Sequence, residues 1–249
     1  VSLGSQPPML NAVGALPGRT FVLKQLWAAT TVARATEEGL RRDPVAVVGL
    51  ADSAGVRLDT IALVPGRELI ITEEDGRGVM GTPPFGRNAV ATPWGEGVVV
   101  GDQVAFELRK LDPAAGLVLV ARIPDRNLSV EPEDLEAYVQ ARLEQVPEES
   151  RAAARENILS MPVPDTKPAF GGVLSDESGN LWVSEWVVPS RLPETWTVLD
   201  PSGRWLGDVK VPERLFPYAI GEDWILGVAW DDLDVEYVVL YRIVKEPGY

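Results

Sequence analysis

Apolar positions along the chain come in short bursts, alternating or continuous, each closed by a turn residue or a proline. The order of the bursts repeats. Leu50-Ala51-Asp52-Ser53-Ala54-Gly55 leads into "VRLDTIALVP", ending at Pro65. Leu111-Asp112-Pro113-Ala114-Ala115-Gly116 leads into "LVLVARIP", ending at Pro124, with one extra residue before its glycine. Leu199-Asp200-Pro201-Ser202-Gly203 leads into "RWLGDVKVP", ending at Pro212. The shared order is strand, Asp-x-x-Gly turn, strand, Pro. Asp at the first turn position bonds backbone two residues on, Gly supplies a positive φ, and Pro ends a strand because it cannot donate to a ladder.

Each hairpin follows two further apolar segments. These are "LNAVGALP" (10–17) and "TFVLKQLW" (20–27), then "NAVATPW" (88–94) and "EGVVVGD" (96–102), then "AFGGVLSD" (169–176) and "NLWVSEW" (180–186). After Pro212, "FPYAIGEDWILGVAW" and "VEYVVLYRIV" begin a fourth copy without its outer strand. A lone hairpin is marginal in water, so the repeat predicts antiparallel units of four short strands stacked on one another. Four such units in series predict an all-β chain with the architecture of a β-propeller over residues 1–249. A generic sandwich with similar hairpins is the competing reading.

Three segments interrupt the repeat. Residues 28–43 separate the second and third strands of the first unit, and "ELIITEEDGRGVMGTPPFGR" (68–87) bridges the first and second units, its glycine-rich part "EEDGRGVMGTPPFGR" (73–87) reading as a flexible loop. The longest, 129–168, has helical character. Ser129 is a candidate N-cap, Pro132 lies near the start, and Glu133 and Asp134 suit the positive end of a helix. Leu135, Tyr138, Val139 and Val146 make an apolar stripe, and a second helix restarts after Pro147 through Ile158 and Leu159. The expectation is a helical hairpin laid on the strands.

Composition narrows the chemistry. Of 249 residues 45% are hydrophobic, enough for a sizeable core, and no apolar run reaches the roughly 18 residues that span a bilayer. With 23 basic and 37 acidic residues the net charge is −14, which argues against nucleic acid and against anionic membranes as partners. The chain has no Cys and no His. Disulfides, zinc sites of the His/Cys type and triads built on His are thereby excluded, so acid–base chemistry would fall to Asp, Glu, Lys or Tyr.

Three groups carry candidate chemistry. Asp231, Asp232 and Asp234, with Glu236, form an acidic cluster suited to Ca²⁺, although it lacks the spacing and turn glycine of an EF-hand and also reads as a solvated hairpin turn. Tryptophan is dense at 182, 186, 196, 205, 224 and 230; such rings either form a stacking platform or pack between units. Trp94 and Trp186 end second strands and, with Trp182 and Arg87, are candidates for a ligand-binding channel mouth. The Arg87 guanidinium would meet an anionic ligand there or pair with nearby carboxylates. The glycine-rich stretch around it matches no phosphate-binding motif.

The segment "PVPDTKPAFGGVLSDESGNLWVSEW", followed by "WTVLDPSGRWLGDVKVP" and "GEDWILGVAWDDLDVEYVVLYRIV", resembles the C-terminal blades of uncharacterised bacterial six-bladed β-propellers related to the NHL-repeat group. "DPVAVVGLADSAGVRLDTIALVPGRE" and "PPFGR" fit their middle blades. The resemblance spans nearly the whole chain and is specific for architecture rather than activity. It implies two further blades ahead of Val1, with Val1–Leu3 as the end of an outer strand, hence an N-terminally truncated propeller. It also implies an extracytoplasmic location, secreted, periplasmic or lipid-anchored. The function that follows is a non-catalytic binding or interaction propeller, without cofactor, for an unknown protein or small-molecule ligand. The alternatives are a calcium-dependent lactonase or gluconolactonase-like hydrolase, for which only Asn88 and Asp176 hold comparable inner-strand positions, and a fragment without independent function.

Overall fold

The strands of four stacked sheets fall where the alternating bursts place them. The computed structural model describes residues 9–18, 20–26, 39–51, 57–74, 77–124 and 126–244. Among these lie eighteen β-strands and two α-helices, and the strand pairs are antiparallel. The first sheet joins β1 (Leu10–Leu16), β2 (Thr20–Gln25), β4 (Pro44–Ala51) and β5 (Arg57–Pro65) in that order. The second runs through β8 (Val90–Trp94), β9 (Gly97–Gly101), β10 (Glu107–Asp112) and β11 (Gly116–Arg122). The third runs through β12 (Val173–Ser175), β13 (Leu181–Ser184), β14 (Thr195–Leu199) and β15 (Trp205–Lys210). The fourth has three strands, β16 (Leu215–Ile220), β17 (Trp224–Trp230) and β18 (Glu236–Arg242). The turn of the first hairpin, 52–55, lies outside the described residues, as do Trp27 and Val1–Leu3.

The first strands of successive sheets sit side by side: β1 beside β8, β8 beside β12, β12 beside β16. The sheets then stack face to face, and the two-residue period of a strand lets one strand serve two interfaces. In β9, Val98 and Val100 point into the core shared with the first sheet, among Val22, Val45, Val47 and Val64, while Val99 points into the core shared with the third. In β13, Leu181 and Val183 join that second core with Trp94, Phe106, Leu108 and Phe170, and Trp182 turns the other way, toward Trp196, Leu215 and Ile225. Strands buried on both faces need near-continuous apolar sequence, which "GVVVG" and "LWVS" supply.

One interrupting segment departs from expectation, and the longest departs only at its N-cap. The glycine-rich stretch 73–87 is not all loop. Leu69–Glu74 (β6) and Arg77–Gly81 (β7) form a hairpin, and Gly39–Arg41 (β3) adds to it as a third strand. The β-branched run "LIIT" that drives this is visible in the sequence but is overshadowed by the glycines after it. The helical hairpin forms as α1 (Pro132–Leu143) and α2 (Arg151–Ser160), joined through a short 3-10 turn at Glu148–Ser150. Its N-cap is Glu131 rather than Ser129. Asp134 reaches back to accept the Glu131 backbone N–H at 2.9 Å, while Ser129 is drawn into a bridge with Thr166. Tyr138, Val139, Leu143 and Ile158 close over Phe85, with Leu135, Trp186 and Val188 at the margin. The Phe85 ring centroid lies 5.2 Å from Tyr138 and 5.4 Å from Trp186. Burying each such side chain is worth roughly 1.5–3 kcal/mol, which docks the hairpin on the sheets. Among the described residues no helix is long and apolar enough to cross a membrane.

Candidate functional site

The docked hairpin leaves an open cleft of about 1570 Å³ between itself and the third and fourth sheets. Its walls come from the segments entering and leaving the insertion (Arg126–Leu128 and Lys167–Ala169), from the long connection between β13 and β14, and from the turns at Arg214 and Asp234. The β13–β14 connection is what makes room. It occupies 185–194, where the corresponding step of the second sheet, between β9 and β10, needs only 102–106.

The charges on the walls are mostly paired. Lys167 Nζ donates to Asp134 Oδ2 at 2.7 Å, and this bond, ahead of the Glu131 backbone N–H, holds the Asp134 carboxyl below its usual range. Arg214 donates to Asp234 at 2.5 Å and to the Trp230 carbonyl at 3.1 Å. The carboxylate of Glu185 accepts the backbone N–H groups of Glu194 and Thr195 at 3.1 and 2.8 Å, which fixes the mouth of the long connection. Arg126 differs. It donates to the hydroxyl of Thr197 at 2.9 Å and lies over the Phe106 ring at 4.6 Å. No carboxylate among the described residues forms an ion pair with it. Trp186, half-buried against Phe85, supplies an aromatic wall, and Trp230 a second.

Of the candidates read from the sequence, Trp186, Trp230 and Asp234 line this cleft. Trp94 is 1% exposed inside the core between the second and third sheets and donates to the Gly179 carbonyl at 2.7 Å. Trp182 is 5% exposed in the next core and donates to Asp176 at 2.9 Å. Both are packing residues, because a ring with one donor is satisfied by one backbone or carboxylate acceptor while its faces fill the interface. Arg87 is enclosed as well. It makes a salt bridge to Glu68 at 3.0 Å and donates to both the carbonyl and the hydroxyl of Thr166, at 3.0 and 2.5 Å. It therefore ties the β5–β6 connection to the return of the insertion, and a carboxylate is its partner. Asp176 closes its own turn, accepting from the backbone and side chain of Asn180, and Asn88 donates its N–H to Gln103.

The acidic cluster is a turn. Asp231 accepts the N–H groups of Leu233 and Val235 at 2.8 and 3.0 Å and the Tyr237 hydroxyl at 3.1 Å. Those backbone donors hold its carboxyl below the usual range, Val235 contributing most. Asp234, at φ 59°, stands where Gly203, at φ 83°, stands in the third hairpin. In both turns the fourth residue's N–H reaches the first residue's carbonyl. Among the described residues no three His, Cys, Asp or Glu side chains assemble as a metal-holding group.

Arg126, Lys167 and Glu185 were not singled out by sequence pattern. The available signal was the unequal length of "EWVVPSRLPE" against its counterpart in the second unit. No family model matches the sequence, and no curated protein matches it. Among solved structures, that of a protein of unknown function from Bacteroides caccae aligns with 79% of this chain and 61% of its own, at 11% identity and a TM-score of 0.28. This chain therefore spans less than two thirds of that protein's length.

Proposed function

We propose that the chain is a non-catalytic binding module of β-propeller type, with the cleft beneath the helical hairpin as its binding surface. The observation that carries the reading is the serial stacking of the four sheets, first strands adjacent and faces packed in chain order, with the insertion and the long β13–β14 connection around one cleft. The resemblance to NHL-type six-bladed propellers, and the extracytoplasmic location that comes with it, belong to the same proposal. The cleft is larger than the ~300–1,000 Å³ typical of small-molecule pockets, is open, and is lined by charged groups of both signs. Such a surface suits an extended polar segment of a partner protein. Arg126, stacked and without an ion-pair carboxylate, is the group placed to receive a carboxylate from it.

The test is an array of unstructured peptides of varied charge, probed with the whole chain. Peptides carrying Asp or Glu bind, and binding falls about tenfold or more in Arg126→Glu and in Val187→Trp, which fills the cleft. Equal binding by all three proteins sinks the proposal. A calcium-dependent rise in melting temperature together with hydrolysis of a simple lactone would replace it with the hydrolase reading.

A further inference from the structure

The fourth sheet ends at β18, which pairs with β17 and, among the described residues, with nothing on its other side. The ladder's phase follows from its two ends. Ile243 N–H donates to the Asp223 carbonyl at 2.7 Å and Asp231 N–H donates to the Val235 carbonyl at 3.1 Å. Residues 235, 237, 239, 241 and 243 therefore turn their backbone groups toward β17. Glu236, Val238, Leu240 and Arg242 turn theirs to the open edge. The side chains there are bare: Val238 is 78% exposed, Leu240 68% and Tyr237 52%.

Proteins commonly blunt such an edge with a bulge, a proline or a lysine. The outermost ladder of each four-stranded sheet carries a register shift, at Val47/Val48, Lys110/Leu111 and Val198/Leu199. The β17–β18 ladder has none, and "EYVVLYR" contains neither Pro nor Lys. The strand is also its own complement. Laid antiparallel on a second copy about a two-fold axis through Val239, Glu236 faces the second copy's Arg242, Tyr237 its Tyr241 and Val238 its Leu240. Opposite charges, aromatic rings and aliphatic side chains meet their like or their counter-charge at every step. In this register each outward N–H and carbonyl of one copy also faces those of the other.

We infer that β18 is a self-pairing edge, through which two copies of the chain join their fourth sheets into one continuous antiparallel sheet. This surface adjoins the cleft at Trp230, whose indole N–H donates to Glu236 at 3.3 Å, but the pairing it makes does not depend on what the cleft binds.

Sedimentation of the whole chain across a concentration series tests it. The expected result is a monomer–dimer equilibrium. Leu240→Pro removes an outward N–H that the β17 ladder does not use, so it leaves the monomer folded by near-ultraviolet circular dichroism and abolishes the dimer. Arg242→Glu sets glutamate against Glu236 at both ends of the pairing and weakens the dimer by about tenfold or more. The swap Glu236→Arg/Arg242→Glu restores it, a rescue that this register alone provides. A chain that is monomeric throughout, a dimer indifferent to Leu240→Pro, or a swap no better than the single reversal overturns the inference. Slow amide exchange at Val238 and Leu240 in a monomer would also overturn it, and would assign the edge to another segment of the same chain.

Discussion

The third and fourth sheets are written in the same strand grammar and end in opposite circumstances. β13 is buried at every position because the second sheet lies on one face and the fourth on the other. β18, equally apolar, is exposed at six of its seven positions. Leu181 is 0% exposed and Leu240 68%, although both sit in strands of alternating or continuous hydrophobicity. Strand propensity thus decides that a segment pairs, and the neighbouring sheet decides whether its side chains are worth anything to stability. The covered sheet stores its free energy in packing. The uncovered one presents the same chemistry to a partner.

The sharpest way to break this contrast is to cut the same side chain from both. Leu181→Ala removes a fully buried side chain from the core around Phe170 and Val183, and is expected to cost about 2–5 kcal/mol in urea unfolding. Leu240→Ala, measured at concentrations that keep the chain monomeric, should stay within about 0.5 kcal/mol. Comparable losses would mean that the fourth sheet's outer face is covered after all.

A smaller effect separates two neighbouring positions of one hairpin turn. Gly203, at φ 83°, closes the third sheet's Asp200 turn, and a Cβ built there would meet Leu119 Cδ2 at 3.0 Å. Gly203→Val therefore carries backbone strain and a clash with the second sheet, together on the order of 1–2 kcal/mol. Ser202→Val, one residue earlier and exposed, forfeits only the hydroxyl's bond to Asp200. Equal melting shifts for the two variants would remove the turn from the list of features that lock the third sheet onto the second.

How much of this was legible beforehand follows from what each residue's role depends on. The strands of the four stacked sheets and the docked helical pair are local or periodic features, and pattern alone locates them, whereas β3, β6 and β7 lie in segments the pattern reads as interruptions. The roles of Arg87, Trp94 and Trp182 depend on which residues arrive from far along the chain. Glu68 and Thr166 enclose the arginine, and Phe170 with Leu181, or Leu215 with Ile225, enclose the rings. No spacing near those residues encodes that enclosure. The cleft was invisible for the same reason, being a space left by a loop of unequal length and a helix pair from a different part of the sequence.

The smallest expected effect lies on the helical hairpin, which, unlike β18, has its exposed face bound together by charge. Glu136 on α1 accepts two bonds from Arg155 on α2, at 3.0 and 2.7 Å, and one from Gln140 at 2.6 Å. Arg155 first and Gln140 second pull the Glu136 carboxyl down from an ordinary 4.5 to about 2. A carboxyl whose folded value is depressed contributes its stability in full above the unfolded value and loses it as pH falls through the folded one. For Glu136 that window runs from 4.5 down to about 2. Both side chains are exposed, so the contribution to whole-chain stability is small and salt-sensitive. A site-resolved carbon titration of the glutamate carboxyls reads it directly. In the parent chain Glu136 titrates well below the other glutamates, and in Arg155→Ala its midpoint rises toward theirs, with the acid loss of hairpin stability moving up in pH alongside it. If the midpoint stays put in the variant, the two helices are joined by their apolar seam over Phe85 alone, and the contrast with the fourth sheet becomes one of packing only.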